Sequence, residues 1–116
     1  MKAVCFERPY HVAVVEVPTP AVGPEDVLIR VEAAGVCGTD LHLYVGEFDP
    51  KYPLVPGHEF SGVVVEVGGS VTRFKPGDRV SVDPNLYCDH CHYCLRELQN
   101  HCENWEAIGV TRAGGF

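Results

Sequence analysis

Residues 57–67 of this 116-residue chain, Gly-His-Glu-Phe-Ser-Gly-Val-Val-Val-Glu-Val, join a histidine–glutamate pair to a run of valines. Valine favours extended backbone, so a strand is expected over the second half of this stretch. Its period-2 pattern predicts that Val63, Val65 and Val67 point inward. A strand preceded directly by His58 and Glu59 therefore indicates a β fold with polar, metal-binding side chains at one strand end.

The remaining pattern is also mostly β. In residues 27–33 the apolar side chains alternate with Arg30 and Glu32, which predicts a half-buried strand with the odd positions inward. Pro and Gly in residues 75–78 predict a type II turn. One helix is expected to start near Thr39–Asp40, where a hydroxyl or carboxylate caps residues 41–44. Shorter strands are expected at 2–7, 12–17 and 79–82. Short strands separated by turns predict a sandwich or small barrel.

Composition narrows the class of partner. The chain has 9 Lys and Arg against 16 Asp and Glu, a net charge of −7, which argues against nucleic-acid or anionic-membrane partners. No apolar run approaches the roughly 20 residues of a membrane helix, and residues 1–7 lack a signal-peptide stretch. A cytoplasmic location is therefore expected. Six cysteines in such a chain indicate metal binding or free thiols rather than disulfides.

Four cysteines follow the pattern C-x2-C-x2-C-x7-C: Cys88, Cys91, Cys94 and Cys102. Four thiolates satisfy the tetrahedral shell of a closed zinc site, and a lobe with little core of its own needs the metal to fix its shape. Free thiols on a polar loop are one alternative. An iron–sulfur cluster is the other, although the last spacing differs from the ferredoxin run and Glu103 replaces its proline. The neighbouring His90, His92 and His101 are expected to be solvent-exposed.

Cys37 and His58 form a second candidate pair, since each is expected at the end of a strand and two strands can bring them together. Thiolate, imidazole and the Glu59 carboxylate are all zinc ligands, and three protein ligands leave a position for water or substrate. A buried structural cysteine and a core histidine explain the same residues equally well. Cys5 and His11 are interpreted as structural.

Taken together, these motifs resemble the zinc-dependent medium-chain alcohol dehydrogenase family. The resemblance covers the whole chain, and four segments carry it: 35–42, 57–62, 75–80 and the cysteine lobe. It implies a mainly β, GroES-like, partly open barrel with a protruding four-cysteine zinc lobe at about 84–104. By this resemblance the four lobe cysteines hold a structural zinc.

The same resemblance implies roles at the second site. Cys37 and His58 correspond to ligands of a catalytic zinc, and Glu59 to a glutamate that is a ligand in some members and a neighbour in others. Residues 37–44 look most like the polyol and threonine dehydrogenase branch. There, Glu59 completes the shell; in the other branch the third ligand lies beyond residue 116.

The reaction implied by the resemblance is hydride transfer from an alcohol or polyol to NAD or NADP. In it, Thr39 takes the substrate proton and His42 passes it to water, a role suited to imidazole near neutral pH.

The chain departs from the family in one respect, because its 116 residues contain no G-x-G-x-x-G fingerprint. We therefore expect an incomplete GroES-like domain over residues 1–116 with the Rossmann domain absent, as in a fragment or truncated product. Such a chain is expected to be inactive alone, and its exposed strand edges make a homo-oligomer plausible.

Two further readings compete with the enzyme. A non-catalytic, zinc-stabilised GroES-like binding or assembly module needs only the cysteine lobe, so it differs at Cys37 and His58. A zinc-free quinone reductase relative lacks that lobe, and the four cysteines count against it.

Overall fold

Seven strands, one α-helix and two 3-10 turns make up the chain, whose computed structural model describes residues 1–116. In chain order they are β1 (Lys2–Arg8), β2 (His11–Glu16), β3 (Val27–Gly35), α1 (Gly38–Val45), β4 (Glu59–Val67), β5 (Arg79–Ser81), β6 (Asn85–Leu86), the 3-10 turns Cys94–Arg96 and Gln99–His101, and β7 (Glu106–Ala107). None of the helices is both long and apolar enough to cross a bilayer.

The strands form three separate antiparallel sheets. Their orders are β1-β2, β3-β4-β5 and β6-β7, and none of the sheets closes on itself. The mainly β prediction is confirmed, and a four-cysteine cluster lies between β6 and β7 in the chain. The pairing of β3 with β4 matters most for function, because it places Gly35 opposite Glu59 at one end of the ladder.

The predicted inward face of β4 is wrong. Val64 is only 1% exposed whereas Val65 is 40% exposed, so the even positions face the interior. Three consecutive valines do not reveal which face of the strand is buried, because the pairing of the strand with its neighbours determines it. Here β5 and its turn fix it, since the Val64 N–H donates to Asp78 O and its carbonyl accepts from Gly77 N–H.

The alternation predicted for β3 also fails beyond its first residues. Register shifts interrupt the β3–β4 ladder between Leu28 and Ile29 and between Val31 and Ala33. The first shift leaves Val65 of β4 unpaired and the second leaves Glu32 of β3 unpaired, so the side-chain alternation of the two strands is not continuous along the ladder. Val31, which was expected on the inward face, is 37% exposed.

The main apolar cluster joins three parts of the chain. Phe6 of β1, Leu43 of α1 and Leu54 of the following loop are buried against one another, with Tyr44, Tyr52 and Val110 packed around them. Burying a Leu or Phe side chain contributes about 1.5–3 kcal/mol. This cluster therefore holds α1 and the loop after it in place, and both lead directly to the candidate site.

Two local predictions have different outcomes. The turn at 75–78 is confirmed in its geometry: Gly77 has φ +95° and the Asp78 N–H donates to Lys75 O at 3.2 Å. The helix start is corrected, because α1 begins at Gly38 and its N-cap is Cys37. The thiol accepts the Thr39 N–H, so a sulfur takes the capping role expected of an oxygen.

Candidate metal centres

The four lobe cysteines converge on one point. Cys88, Cys91, Cys94 and Cys102 each present a sulfur, and these atoms all lie within 4.8 Å of one another. Cys88 Sγ is 3.6 Å from Cys102 Sγ and 4.0 Å from Cys94 Sγ. A tetrahedral zinc with Zn–S of 2.3 Å requires sulfurs about 3.8 Å apart. All six cysteines of the chain are free thiols.

Short secondary-structure elements and hydrogen bonds to sulfur stabilise the four-cysteine lobe. The two-residue strands β6 and β7 pair at its base, and the Trp105 indole N–H donates to Asn85 Oδ1 at 3.0 Å. Inside, backbone N–H groups point at sulfur: Cys88 N–H donates to Cys102 Sγ at 3.4 Å and Cys94 N–H to Cys91 Sγ at 3.5 Å. Hydrogen bonds of this kind orient metal-binding thiolates and favour their charged form.

The four thiols differ in proton affinity. The backbone N–H of His90 and the Asn104 side chain lower the pKa of Cys88 to about 6. Burial raises the pKa of Cys94 to about 12. A hydrogen bond from the backbone of Cys94 lowers the pKa of Cys91. Four thiols this close together ionise together only around a cation, so the donor set fits a soft divalent metal such as zinc.

A second group of ligands forms where β3 and β4 pair. Cys37 lies two residues after the end of β3, and His58 lies directly before Glu59, the first residue of β4. The structure brings all three together, with one ligand atom from each within 4.8 Å of the others. His58 Nε2 is 3.2 Å from Cys37 Sγ. That distance is slightly below the about 3.6 Å that a tetrahedral zinc sets between S and N ligands.

Asp40 fixes the position of both Cys37 and His58. It is 2% exposed, its Oδ2 accepts the Cys37 N–H at 2.9 Å, and its Oδ1 lies 3.4 Å from His58 Nδ1. Neither Oδ1 nor Nδ1 has a hydrogen-bond partner, although both atoms are buried. An imidazole with Nδ1 toward a carboxylate and Nε2 toward a thiol has the arrangement of a metal-binding histidine.

Glu59 reaches the group from the exposed side. A Cβ added to Gly35 would lie 2.9 Å from Glu59 Oε2, so the facing glycine gives the carboxylate its room. His58 and Glu59 also line an open cleft of about 640 Å³ whose far side includes Ser81 and Pro84. Sulfur, nitrogen and oxygen donors beside open space have the chemistry of a three-ligand zinc site with a free position.

The two relay candidates are on α1, outside this ligand group. Thr39 is half-buried, and His42 is exposed with its Nδ1 against Glu47 Oε2. Residues three apart share a helix face, so both lie on the same side of α1. No hydrogen bond links them directly. Cys5 is buried in β1 away from both clusters, and burial raises the pKa of its thiol.

Sequence reasoning missed two contributors. Asp40 was interpreted only as part of a helix cap, whereas its second oxygen faces His58. The signal available was an acidic residue three positions after a candidate ligand. The second is the packing of Phe116 on Gly57, next to His58, for which sequence spacing offers no signal. His90, His92 and His101 are exposed as expected, and His11 lies beside Glu7 at 2.9 Å.

Comparison with known proteins identifies the family of the chain. Residues 23–116 match the family model described as the alcohol dehydrogenase GroES-like domain. D-arabinitol dehydrogenase 1 of Uromyces fabae is 42% identical over 116 residues, which cover 100% of this chain and 33% of that protein. The chain thus spans about one third of the length of such relatives.

Two solved dehydrogenase structures are similar to this chain in fold and in sequence. Galactitol-1-phosphate dehydrogenase from Escherichia coli superposes with a TM-score of 0.95 at 35% identity, covering 100% of this chain and 34% of that one. A cobalt- and zinc-bound thermostable alcohol dehydrogenase from Pyrobaculum aerophilum gives 0.90 at 41% identity, with 99% and 36% covered.

Proposed function

This chain belongs to the zinc-dependent medium-chain alcohol dehydrogenase family, and from that membership we propose that it is the zinc-binding part of an enzyme that moves a hydride from an alcohol or polyol to NAD(P)⁺. The polyol branch is favoured because D-arabinitol and galactitol-1-phosphate dehydrogenases are among the similar proteins. The domain is taken as residues 1–116, with the zinc lobe at about 84–104.

One observation carries the proposal. A second group of potential ligands, Cys37, His58 and Glu59, is present in addition to the four-cysteine lobe, and His58 and Glu59 line an open cleft. A purely structural module needs only the lobe, and nothing in its stability requires a thiol, an imidazole and a carboxylate to meet next to open space. We propose that Glu59 is the third ligand within this chain.

A zinc ion held by Cys37, His58 and Glu59 would supply Lewis-acid chemistry toward the oxygen of an alcohol substrate. The chain's own residues do the rest. Asp40 holds His58 with Nε2 toward the ligand group, and the Thr39 N–H holds Cys37 Sγ at 3.3 Å. Thr39 Oγ1 is proposed to accept the substrate proton, and His42, on the same helix face and exposed, to pass it to solvent.

The 116 residues alone are proposed not to oxidise alcohols. They contain no glycine-rich strand–turn–helix for a dinucleotide, a fold that needs parallel strands joined by a crossover helix. A cytoplasmic location is proposed from the six free cysteines, which persist as thiols in reducing compartments. Self-association is proposed from the outer edges of β3 and β5, which no other strand of the chain covers.

Zinc content tests the proposal. The chain prepared with excess zinc and then desalted is expected to hold two zinc ions, Cys37→Ser to hold one, and Cys102→Ser to lose order in the lobe. One zinc in the unaltered chain, unchanged by Cys37→Ser, would favour the non-catalytic GroES-like module instead. Visible absorption from bound iron would favour an iron–sulfur protein.

A further inference from the structure

We propose that residues 109–116, here named the clamp, position His58 for metal binding by fixing the peptide of Gly57, with Phe116 as the side chain that holds it. The inference rests on the proposed function, because positioning of His58 matters there only if His58 is a ligand. Phe116 is not one of the three candidate ligands, so its proposed role is positioning.

Backbone hydrogen bonds tie the clamp to the loop that carries His58. The loop from Val55 to Gly57 offers three carbonyls, and each accepts an N–H of the clamp. The pairs are Gly114 to Val55 at 2.8 Å, Gly115 to Gly57 at 2.9 Å and Phe116 to Pro56 at 3.1 Å. On its other side the Phe116 carbonyl accepts the Val4 N–H at 2.8 Å, which anchors the clamp to β1.

Gly57 is enclosed on two sides. Its φ of +94° lies in the left-handed region that favours glycine, and a Cβ added there would be 2.3 Å from Phe116 Cδ1. Across the loop, a Cβ on Gly109 or on Gly114 would be 2.3 Å from Gly57 O. The aromatic ring and two glycine backbones therefore pack closely against Gly57 and restrict the orientation of the Gly57–His58 peptide.

The side-chain contacts of the imidazole do not set its position alone. His58 Nδ1 faces Asp40 Oδ1 at 3.4 Å without a hydrogen bond, and Nε2 lies 3.2 Å from Cys37 Sγ. Because the peptide before His58 sets the direction of its side chain, loosening Gly57 turns Nε2 away from Cys37. The clamp thus acts together with Asp40: it positions the backbone of His58, and Asp40 orients the ring.

Cobalt binding to the second site tests this. Protein carrying one equivalent of zinc in the cysteine lobe is titrated with Co²⁺, which competes poorly for a zinc-filled thiolate site. Phe116→Ala is expected to weaken Co²⁺ binding by at least about tenfold, the size typical of lost supporting contacts. Phe116→Leu, which keeps apolar bulk over Gly57, is expected to restore most of the affinity.

A matched control and a double variant separate positioning from general destabilisation. Phe74→Ala removes a partly exposed ring from the β4–β5 connection and is expected to leave Co²⁺ affinity unchanged. Gly57→Ala is expected to abolish Co²⁺ binding. The double variant Gly57→Ala/Phe116→Ala is expected to recover part of that binding, because the new Cβ at position 57 no longer clashes with the Phe116 ring.

Unchanged Co²⁺ affinity in Phe116→Ala, with the lobe zinc retained, would overturn the clamp while leaving the proposed function intact. If the unaltered protein takes up no second metal, the proposed function fails, and NMR of the one-zinc protein decides the clamp. There, a nuclear Overhauser contact between the His58 ring and Cys37 and slow exchange of the Gly115 N–H are expected, and both are expected to be lost in Phe116→Ala. Their persistence in that variant would overturn the clamp.

Discussion

Replacing Asp40 by Asn changes one buried oxygen to nitrogen and tests how the second site is built. The Cys37 N–H, 2.9 Å from Oδ2, needs an acceptor, so the amide oxygen of the variant must take that place. Its NH₂ group then lies where Oδ1 was, 3.4 Å from His58 Nδ1. A donor there favours the tautomer with its proton on Nε2, and that nitrogen is then unable to bind metal.

The size of the effect follows from this geometry. Changing the group behind a metal-binding histidine typically costs 10–100-fold in affinity, or about 1.4–2.8 kcal/mol. The free energy of unfolding should change by much less, because the amide oxygen still caps α1. Asp40→Ala removes that acceptor too, and it is expected to cost roughly a further 1 kcal/mol of folding free energy.

Competition titration of the second metal equivalent measures the affinity, and urea unfolding measures the stability. Asp78→Asn is the matched control, since Asp78 Oδ2 likewise accepts a backbone N–H, from Lys75 at 3.0 Å, but far from the ligand group. Equal second-site affinity in Asp40→Asn and the unaltered chain would refute the reasoning that Asp40 fixes the His58 tautomer.

Three further outcomes are expected. In Tyr52→Phe, loss of the bond to Leu43 O should cost about 1 kcal/mol below pH 10. Burial raises the pKa of Tyr52, so the folded chain keeps the phenol proton at pH values where the unfolded chain has lost it. The free energy of unfolding of the unaltered protein should therefore fall as pH rises from about 10, and that of Tyr52→Phe should not. An equal fall of the free energy of unfolding with pH in both proteins, measured by urea unfolding, would contradict this. Gly62→Ala places Cβ 2.1 Å from the Arg30 carbonyl and should cost about 1–3 kcal/mol, whereas Gly69→Ala meets nothing within 4 Å and should not lower the melting temperature. Chelation with EDTA should open the lobe, so that trypsin cuts after Arg96 faster while cutting after exposed Arg73 is unchanged; equal rates at Arg96 before and after chelation would show a lobe stable without metal.

Much of the fold follows from local sequence. Turn chemistry located Gly77, and runs of β-branched residues located β2 and β4, because both depend on neighbours within a few positions. The cysteine spacing likewise predicted a cluster, since a C-x2-C step restricts where two sulfurs lie. Each of these features depends on residues that are only a few positions apart in the sequence.

Features set by tertiary pairing were not predictable. The buried face of β4 depends on hydrogen bonds between Val64 and the turn before β5, and an unbroken valine run does not reveal it. The two register shifts of the β3–β4 ladder depend on how these strands pair. A thiol as N-cap of α1 escapes rules built on oxygen acceptors.

The second metal site depends both on local sequence and on tertiary pairing. Its residue types were identifiable, but the convergence of Cys37 and His58 depends on the Gly35–Glu59 end of the β3–β4 ladder. The contributions of Asp40 and Phe116 come from long-range packing, which one sequence without partners does not specify.

The most direct test of the account is a crystal structure of this chain grown with zinc, with anomalous scattering recorded at the zinc edge. Two peaks per chain are predicted, one among the four lobe sulfurs and one about 2.3 Å from Cys37 Sγ and about 2.0–2.1 Å from His58 Nε2. A single peak in the lobe, with Cys37 and His58 bridged by nothing, would contradict the account.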